Sequence, residues 1–190
     1  SFSSKDGKGS LKDGSIAPGL TYPDTQTPES SKLNSGITGD AKTDYEYKKD
    51  GILKEDGSYV FTQDPTVIEV KEGAAVNATA KDIVIDTTKA KLELKGETGI
   101  NAENGNVTLN GSTVISGTDA AINAGENANV NVNGNNSALT INGSINADGG
   151  NITVDSGNAS STITGDINAA NGGSVVISLI EKNSVLNGGY

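Results

Sequence analysis

A phrase beginning with Ile-Asn-Ala, or once with Val-Asn-Ala, recurs along the chain at intervals of 22 to 24 residues. The stretch INAANGGSVV begins at Ile167, and the similar stretch INADGGNITV begins at Ile145. The five copies start at Val76, Ile100, Ile122, Ile145 and Ile167. A repeat of roughly 20 to 50 residues indicates a solenoid or an array, in which each unit stacks on the next.

Two further landmarks recur in each copy. Seven or eight residues after the start comes a pair of apolar residues separated by one residue, at Ile83/Ile85, Val107/Leu109, Val130/Val132, Ile152/Val154 and Val175/Ile177. A branched apolar residue then lies two positions before a glycine, at Leu94, Ile115, Ile141, Ile163 and Leu186. Three independent landmarks in five copies establish a true repeat.

The alternation of apolar and polar residues predicts short β-strands. Successive side chains of a strand point to opposite faces, so Ile145 and Ala147 point one way and Asn146 the other. A single unit cannot bury its narrow apolar faces alone, but stacking at about 4.8 Å per coil gives each strand parallel neighbours. The predicted fold is all-β, a right-handed parallel β-helix with three short strands per coil. Its predicted core includes Ile100, Ile122, Ile145, Ile152, Val154, Ile163, Ile167, Val175 and Ile177.

An antiparallel β-sandwich is the alternative all-β fold. The chain contains Asn-Gly pairs that are typical of two-residue hairpin turns, at Asn104-Gly105, Asn110-Gly111, Asn133-Gly134 and Asn142-Gly143. Hairpins do not require one register over five copies, whereas a solenoid does. The repeat therefore favours the β-helix over the sandwich.

Stacked coils also place like residues above like residues. The second residue of every copy is asparagine, which predicts a ladder of Asn77, Asn101, Asn123, Asn146 and Asn168 on an outer face. Amide side chains stacked in this way hydrogen-bond along the stack, as they do in cross-β structures. The ladder is therefore predicted to be a structural feature of the outer surface, in which the asparagines hydrogen-bond to one another along the stack.

The first 75 residues differ in composition from the repeat, because both phenylalanines, all four prolines and four of the five tyrosines lie there. Residues 1–44 are predicted to form an extended or irregular segment. Residues 45–75 are predicted to form a cap or an imperfect first coil, with strands separated by KKDG, KEDG and QDP turns. Residues 76–190 are predicted to form the β-helix of five coils.

Most catalytic chemistry is excluded by missing residue types. The chain has no His and no Cys, and all of its basic residues are lysines. Ser-His and Cys-His pairs and zinc clusters therefore cannot be built. A pair of carboxylates could still cleave a glycosidic bond. The candidate acids Asp148, Asp155 and Asp166 are, however, interpreted as solvated turn residues, and the chain is predicted not to be an enzyme.

No cofactor or metal is predicted either. The stretch GGNITVDSG lacks the third glycine of the nonapeptide calcium repeat, and its aspartate is displaced. A net charge of −10 without arginine makes the chain unsuited to phosphate backbones, so nucleic acid is excluded as a partner.

The stretch STITGDINAANGGSVVISLIEKNSVLNGG resembles the passenger domains of bacterial autotransporters, which are exported by type V secretion. The shared residues are Gly165, Asp166, Ile167, Ala169, Gly172, Gly173, Val175, Ile177, Ser184, Leu186 and Gly188. The resemblance covers about residues 76–190. It implies secretion across two membranes, display at the cell surface, and adhesion or self-association. The sequence lacks the family's translocator and any Arg-Gly-Asp or Gly-Asp-Ser-Gly motif, so the chain is expected to be one part of such a protein.

The leading functional hypothesis is therefore a non-enzymatic adhesin segment, extracellular or on the bacterial cell surface, whose partner is a surface receptor or glycan. The alternative is a structural subunit of an extracellular fibre, which would assemble end to end by strand addition. A polysaccharide-processing β-helix is a third hypothesis. The strand edges of the last coil are expected to be covered by further coils or by another subunit.

Overall fold

The structure is a computed structural model that describes residues 35–39 and 42–189. It is an all-β parallel solenoid of about six turns with little helix, which confirms the predicted fold class. Most of the segment 1–44 lies outside the described residues. No helix in the described part of the chain is long and apolar enough to cross a membrane.

The elements follow one another along the chain with short connections. They are β1 (Gly36–Ile37), α1 (Asp44–Lys49), β2 (Tyr59–Val60), β3 (Thr66–Glu69), β4 (Ala74–Thr79), β5 (Ile83–Glu103), β6 (Val107–Ala124), β7 (Asn129–Asn133), β8 (Leu139–Asn142), β9 (Ile145–Asp148), β10 (Asn151–Asp155), β11 (Thr162–Thr164), β12 (Ile167–Ala170), β13 (Ser174–Ser178) and β14 (Val185–Asn187). Strands β5 and β6 continue around corners, with register shifts after Thr87 and after Gly96.

Three sheet faces result from the stacking, and their registers follow the repeat. On the first, here called the amide face, Ile145 pairs in parallel with Ile122 and with Ile167. On the second face, Ile152 pairs with Val130 and Val175. On the third face, strand β11 pairs with β8 and β14. Each landmark of the sequence therefore stacks on its own copies in neighbouring coils.

The core is a column of aliphatic side chains that points inward from all three faces. Of the residues predicted for it, Ile100, Ile122, Ile145, Ile152, Val154 and Ile163 are 0% exposed. The other three, which are Ile167, Val175 and Ile177, are only partly buried against it. These three lie in the last described coil, which has a neighbouring coil on one side only.

The prediction of strands from residue 45 onwards is wrong for residues 45–49, which lie in helix α1. A capping box starts this helix, because the Glu46 N–H donates to Thr43 Oγ1 (3.2 Å) and the Thr43 N–H donates to Glu46 Oε1 (2.8 Å). The helix buries Tyr47, whose ring packs edge-on against Tyr59 and Phe61 with centroid distances of 5.6 and 6.3 Å. The capping box and the burial of Tyr47 favour a helix here over the turn that the KKDG motif indicates.

A hydrogen bond from the buried Tyr59 holds helix α1 against the second face. The Tyr59 hydroxyl donates to Asp44 Oδ1 at 2.7 Å, and Lys81 Nζ lies 3.4 Å from Asp44 Oδ2. Burial, and then the hydrogen bond and charge of Asp44, raise the pKa of the Tyr59 hydroxyl above its usual range. The phenol therefore stays protonated and keeps donating to Asp44.

The N-terminal end of the solenoid is covered on two faces. Strand β1 pairs antiparallel with β4, with Gly36 opposite Asn77 and Ile37 opposite Val76. On the second face, Leu53 forms an antiparallel bridge with Tyr59. Antiparallel pairing ends the parallel stacking, so these segments cover strand edges that would otherwise present unpaired backbone groups.

Two buried serines give a matched test of the packing. Ser161 Oγ accepts the Leu139 N–H at 2.8 Å, so Ser161→Ala is expected to lower the free energy of unfolding by about 1–3 kcal/mol. Ser156 Oγ is equally buried but has no hydrogen-bond partner among the described residues, so Ser156→Ala is expected to be neutral or slightly stabilising. Urea titrations followed by circular dichroism measure both. A larger loss for Ser156→Ala than for Ser161→Ala would contradict this packing.

Candidate functional site

The five predicted asparagines lie one above another on the amide face. Strand pairing places Asn77 beside Asn101, Asn101 beside Asn123, and Asn146 between Asn123 and Asn168. Each follows an inward-pointing apolar residue in its strand, so its own side chain points outward. The predicted juxtaposition of these side chains is therefore present in the structure.

Side-chain hydrogen bonds join most of this ladder. Asn101 Nδ2 donates to Asn77 Oδ1 at 2.8 Å, Asn146 Nδ2 donates to Asn123 Oδ1 at 3.0 Å, and Asn168 Nδ2 donates to Asn146 Oδ1 at 2.8 Å. All of these bonds have the same donor-to-acceptor direction along the solenoid axis. The amides are consequently held in one orientation before any partner binds.

The ladder is interrupted at its centre. In the part of the chain that the structure describes, no hydrogen bond joins the side chains of Asn101 and Asn123. An asparagine amide has two N–H donors and an oxygen with two lone pairs. The Asn101 oxygen and the Asn123 N–H groups, which lie in adjacent coils, are thus available to a ligand.

A groove of about 550 Å³ runs beside the ladder over four coils. The asparagines from Asn101 to Asn168 line one part of it, and Glu103, Gly125 and Asp148 line another. Gly125 belongs to the coil between those of the two carboxylates, as the pairing of Ala102, Ala124 and Ala147 shows. Sequence reasoning missed this groove, because Glu103, Gly125 and Asp148 share a column but no residue type.

A second ladder occupies the next face, and sequence reasoning also missed it. Asn129 Nδ2 donates to Asn106 Oδ1 at 3.4 Å, Asn151 Nδ2 donates to Asn129 Oδ1 at 3.0 Å, and Ser174 Oγ donates to Asn151 Oδ1 at 2.8 Å. The signal was available, because these positions also recur at 22 to 23 residues. Asn129, Asn151 and Ser174 are exposed and Asn106 is half-buried, and all four lie outside the groove on the amide face.

The candidate acids each make a local contact. Asp148 Oδ1 accepts from Asn171 Nδ2, Asp155 Oδ1 accepts the Gly157 N–H at 2.8 Å, and Asp166 Oδ1 accepts the Gly189 N–H at 2.9 Å. Within the described ranges, no group of three or more acidic, His or Cys side chains could hold a metal ion. The Asp155 contact agrees with a role in turn geometry, whereas the contacts of Asp148 and Asp166 join neighbouring coils.

The carboxyl of Asp86, on the solenoid, has a lowered pKa. The Thr88 hydroxyl and the Thr88 N–H both donate to Asp86 Oδ1, at 2.7 and 2.8 Å, and these bonds lower the pKa of that carboxyl. Asp86 stands at a corner after the second face and is not part of the groove. The shift belongs to a turn that is held by its own hydrogen bonds.

A separate groove of about 510 Å³ lies at the N-terminal end, between Lys42, Asp50, Phe61 and Pro65. Lys42 Nζ lies 3.4 Å from Asp50 Oδ2, so the charges at its rim already pair with each other. The groove on the amide face, whose amides are already held in one orientation, is therefore the better candidate for a binding site.

The fold and this face place the chain in the class of parallel β-solenoids with polar ladders on their outer faces. No protein-family model, no curated protein and no solved structure matches the chain.

Proposed function

We propose that this chain is a segment of a bacterial cell-surface or secreted adhesin, comparable to an autotransporter passenger domain, and that it acts by binding. The observation that carries the proposal is the ladder of pre-oriented amides on the amide face. A repeated surface of this kind offers many similar hydrogen-bonding groups to one extended partner. Multiple weak contacts made together give high avidity, which is what adhesion needs.

The distribution of the acidic groups supports binding over catalysis. The three candidate acids lie in separate places, where Asp155 accepts a bond within its own turn and Asp148 and Asp166 each accept one from the next coil. Glycoside hydrolysis needs two carboxyl groups facing each other across one sugar bond. The proposal accordingly assigns the chain no reaction, cofactor or metal.

Composition supports an extracellular partner of low negative charge. The chain carries a net charge of −10 and no arginine, so it repels nucleic acid and other polyanions. A chain without cysteine needs no disulfide chemistry in an oxidising compartment. The proposed location is the bacterial cell surface or the extracellular medium, and the proposed partner is a surface receptor or glycan.

Attachment of coated beads tests the proposal. Beads carrying the 190-residue chain are expected to attach several-fold more to epithelial or bacterial cells than beads carrying the heat-unfolded chain. Bound beads are counted by flow cytometry, with albumin-coated beads as a second control. Equal attachment of folded and unfolded chain on every cell type would contradict an adhesive function.

The alternative is a subunit that assembles end to end into a fibre. It is favoured by the last described coil, whose strands pair on one side only and where Ile180 and Val185 are exposed. Against simple head-to-tail stacking, β1 and Leu53 cover two faces of the opposite end. Analytical ultracentrifugation over a range of concentrations distinguishes the two functions. A fibre subunit forms oligomers that grow with concentration, whereas an adhesin segment that attaches to cells as a monomer stays monomeric.

A further inference from the structure

We infer that the groove on the amide face binds a neutral, linear, extended polysaccharide whose chain runs along the solenoid axis. This inference rests on the proposed adhesive function and names the ligand class of that site. Four consecutive coils contribute to the groove, from Asn101 to Asn168. At about 4.8 Å per coil, they span about 14 Å along the axis.

The shape of the groove selects a long, thin ligand. It is lined over its whole length by the same kind of position in successive coils, so no single coil forms a closed pocket. Gly125 has no side chain, so the groove wall is lowest in its coil, which lies between the coils of Glu103 and Asp148. A ligand that lies along the axis contacts every coil in turn, whereas a compact ligand contacts only one or two.

The chemistry of the lining matches sugar hydroxyl groups. Asn146 both donates and accepts within the ladder, whereas Asn101 and Asn168 only donate and Asn123 only accepts. Amide donors and acceptors are therefore left for a sugar hydroxyl, which both donates and accepts. The free groups of Asn101 and Asn123 at the break in the ladder supply an acceptor and donors side by side. Because the ladder bonds already fix the amides, binding loses little side-chain entropy.

The charge of the lining selects a neutral polymer. Of the residues that the structure describes, Glu103 and Asp148 are the charged ones that line the groove, and both are acidic. They accept hydrogen bonds from neutral hydroxyl groups and repel sulfate, phosphate and uronate groups. The overall charge of −10 adds to this repulsion over a longer range.

The predicted binding is weak for each sugar and cumulative along the chain. Among the described residues, no aromatic side chain lines this groove, so its polar contacts are hydrogen bonds that replace ones to water. Affinity therefore depends on how many sugars contact the groove at the same time. Once the ligand exceeds the length of the groove, added sugars are expected to contribute nothing.

Isothermal titration calorimetry of the full 190-residue chain tests these statements. The probes are neutral extended β-linked oligosaccharides of glucose, N-acetylglucosamine, mannose and xylose, each from disaccharide to hexasaccharide, with a sulfated hexasaccharide for comparison. At least one neutral series is expected to gain about tenfold or more in affinity with length and then level off. The sulfated probe is expected not to bind.

A variant that fills the groove localises the site. A Cβ on Gly125 meets its nearest atom, Glu103 Cγ, at 3.5 Å, which is an ordinary contact, so Gly125→Leu should fold and extend into the groove. It is expected to weaken oligosaccharide binding by at least about tenfold. The control Asn129→Ala removes comparable ladder bonds on the second face and is expected to leave the affinity unchanged.

The inference is overturned if no neutral series gains affinity with length, or if Gly125→Leu, verified as folded by circular dichroism, binds as wild type does. Bead attachment separates the two proposals. Attachment that persists in folded Gly125→Leu would reject this ligand and this groove while retaining an adhesive function. Absence of attachment by wild type would reject the adhesive function itself.

Discussion

Ile152→Asp is expected to destabilise the solenoid by about 4 kcal/mol or more. Ile152 is 0% exposed and stacks between Val130 and Val175 in the neighbouring coils. A carboxylate at this position lies among aliphatic side chains, and the described core contains no basic residue to pair with it. The neighbouring Thr153 points outward and is exposed, so Thr153→Asp is expected to change stability by less than about 0.5 kcal/mol.

Guanidinium titrations of both variants, followed by far-ultraviolet circular dichroism, measure the two free energies of unfolding. The two substitutions introduce the same group at adjacent positions of one strand, so they differ only in the direction of the side chain. Equal losses of stability in the two variants would show that the inward register of this strand is wrong.

Gly165→Ala is expected to lower the free energy of unfolding by at least about 3 kcal/mol. Gly165 has a φ of +144°, and a Cβ there would lie 2.2 Å from the carbonyl oxygen of Gly143 in the preceding coil. Backbone rather than a flexible side chain occupies that space, so the coils must move apart locally. The same column continues to Gly188, where a Cβ would lie 1.9 Å from the Gly165 oxygen.

Gly172→Ala is the matched control for this substitution. Gly172 also has a positive φ, +82°, but a Cβ there would meet nothing within 4 Å. Gly172→Ala is therefore expected to lower the free energy of unfolding only through the strain of a side chain at positive φ, by about 1–2 kcal/mol. Thermal unfolding monitored by circular dichroism compares the two variants, and a Gly165→Ala protein as stable as Gly172→Ala would contradict the close stacking of the corner.

The repeat in the sequence was sufficient to predict the coils and their register. The pairing of Ile145 with Ile122 and Ile167 follows directly from the shared Ile-Asn-Ala phrase. The glycine two positions after Ile163 was visible as a landmark, and the structure supplies its reason in the backbone contact between Gly165 and Gly143. Periodicity predicts these features because stacking requires the same residue type in the same place.

Features outside the repeat were predicted less well. Helix α1 depends on the Thr43–Glu46 capping box and on the burial of Tyr47, which are local signals in a stretch that also has three turn motifs. The continuation of β5 around corners depends on backbone pairing with β6, which no residue pattern marks. Nothing in the repeat determines these features.

The candidate site was predicted in part for the same reason. Its asparagines recur with the period of the coil, so their ladder was predictable from the sequence. Glu103, Gly125 and Asp148 line the groove from one column but differ in type, so they give no repeat signal. A site formed by variation within a repeat becomes visible only once the coils are stacked in three dimensions.

Cell attachment by paired face variants most directly tests whether the chain acts by binding through its amide face. One variant carries Asn123→Ala with Asn146→Ala on the amide face, and the other carries Asn129→Ala with Asn151→Ala on the second face; each pair removes ladder bonds. With folding of both verified by circular dichroism, bead attachment is predicted to fall at least about fivefold for the amide-face variant and to stay at the wild-type level for the second-face variant. Wild-type attachment by the amide-face variant, or an equal loss in both variants, would contradict the assignment of binding to this face.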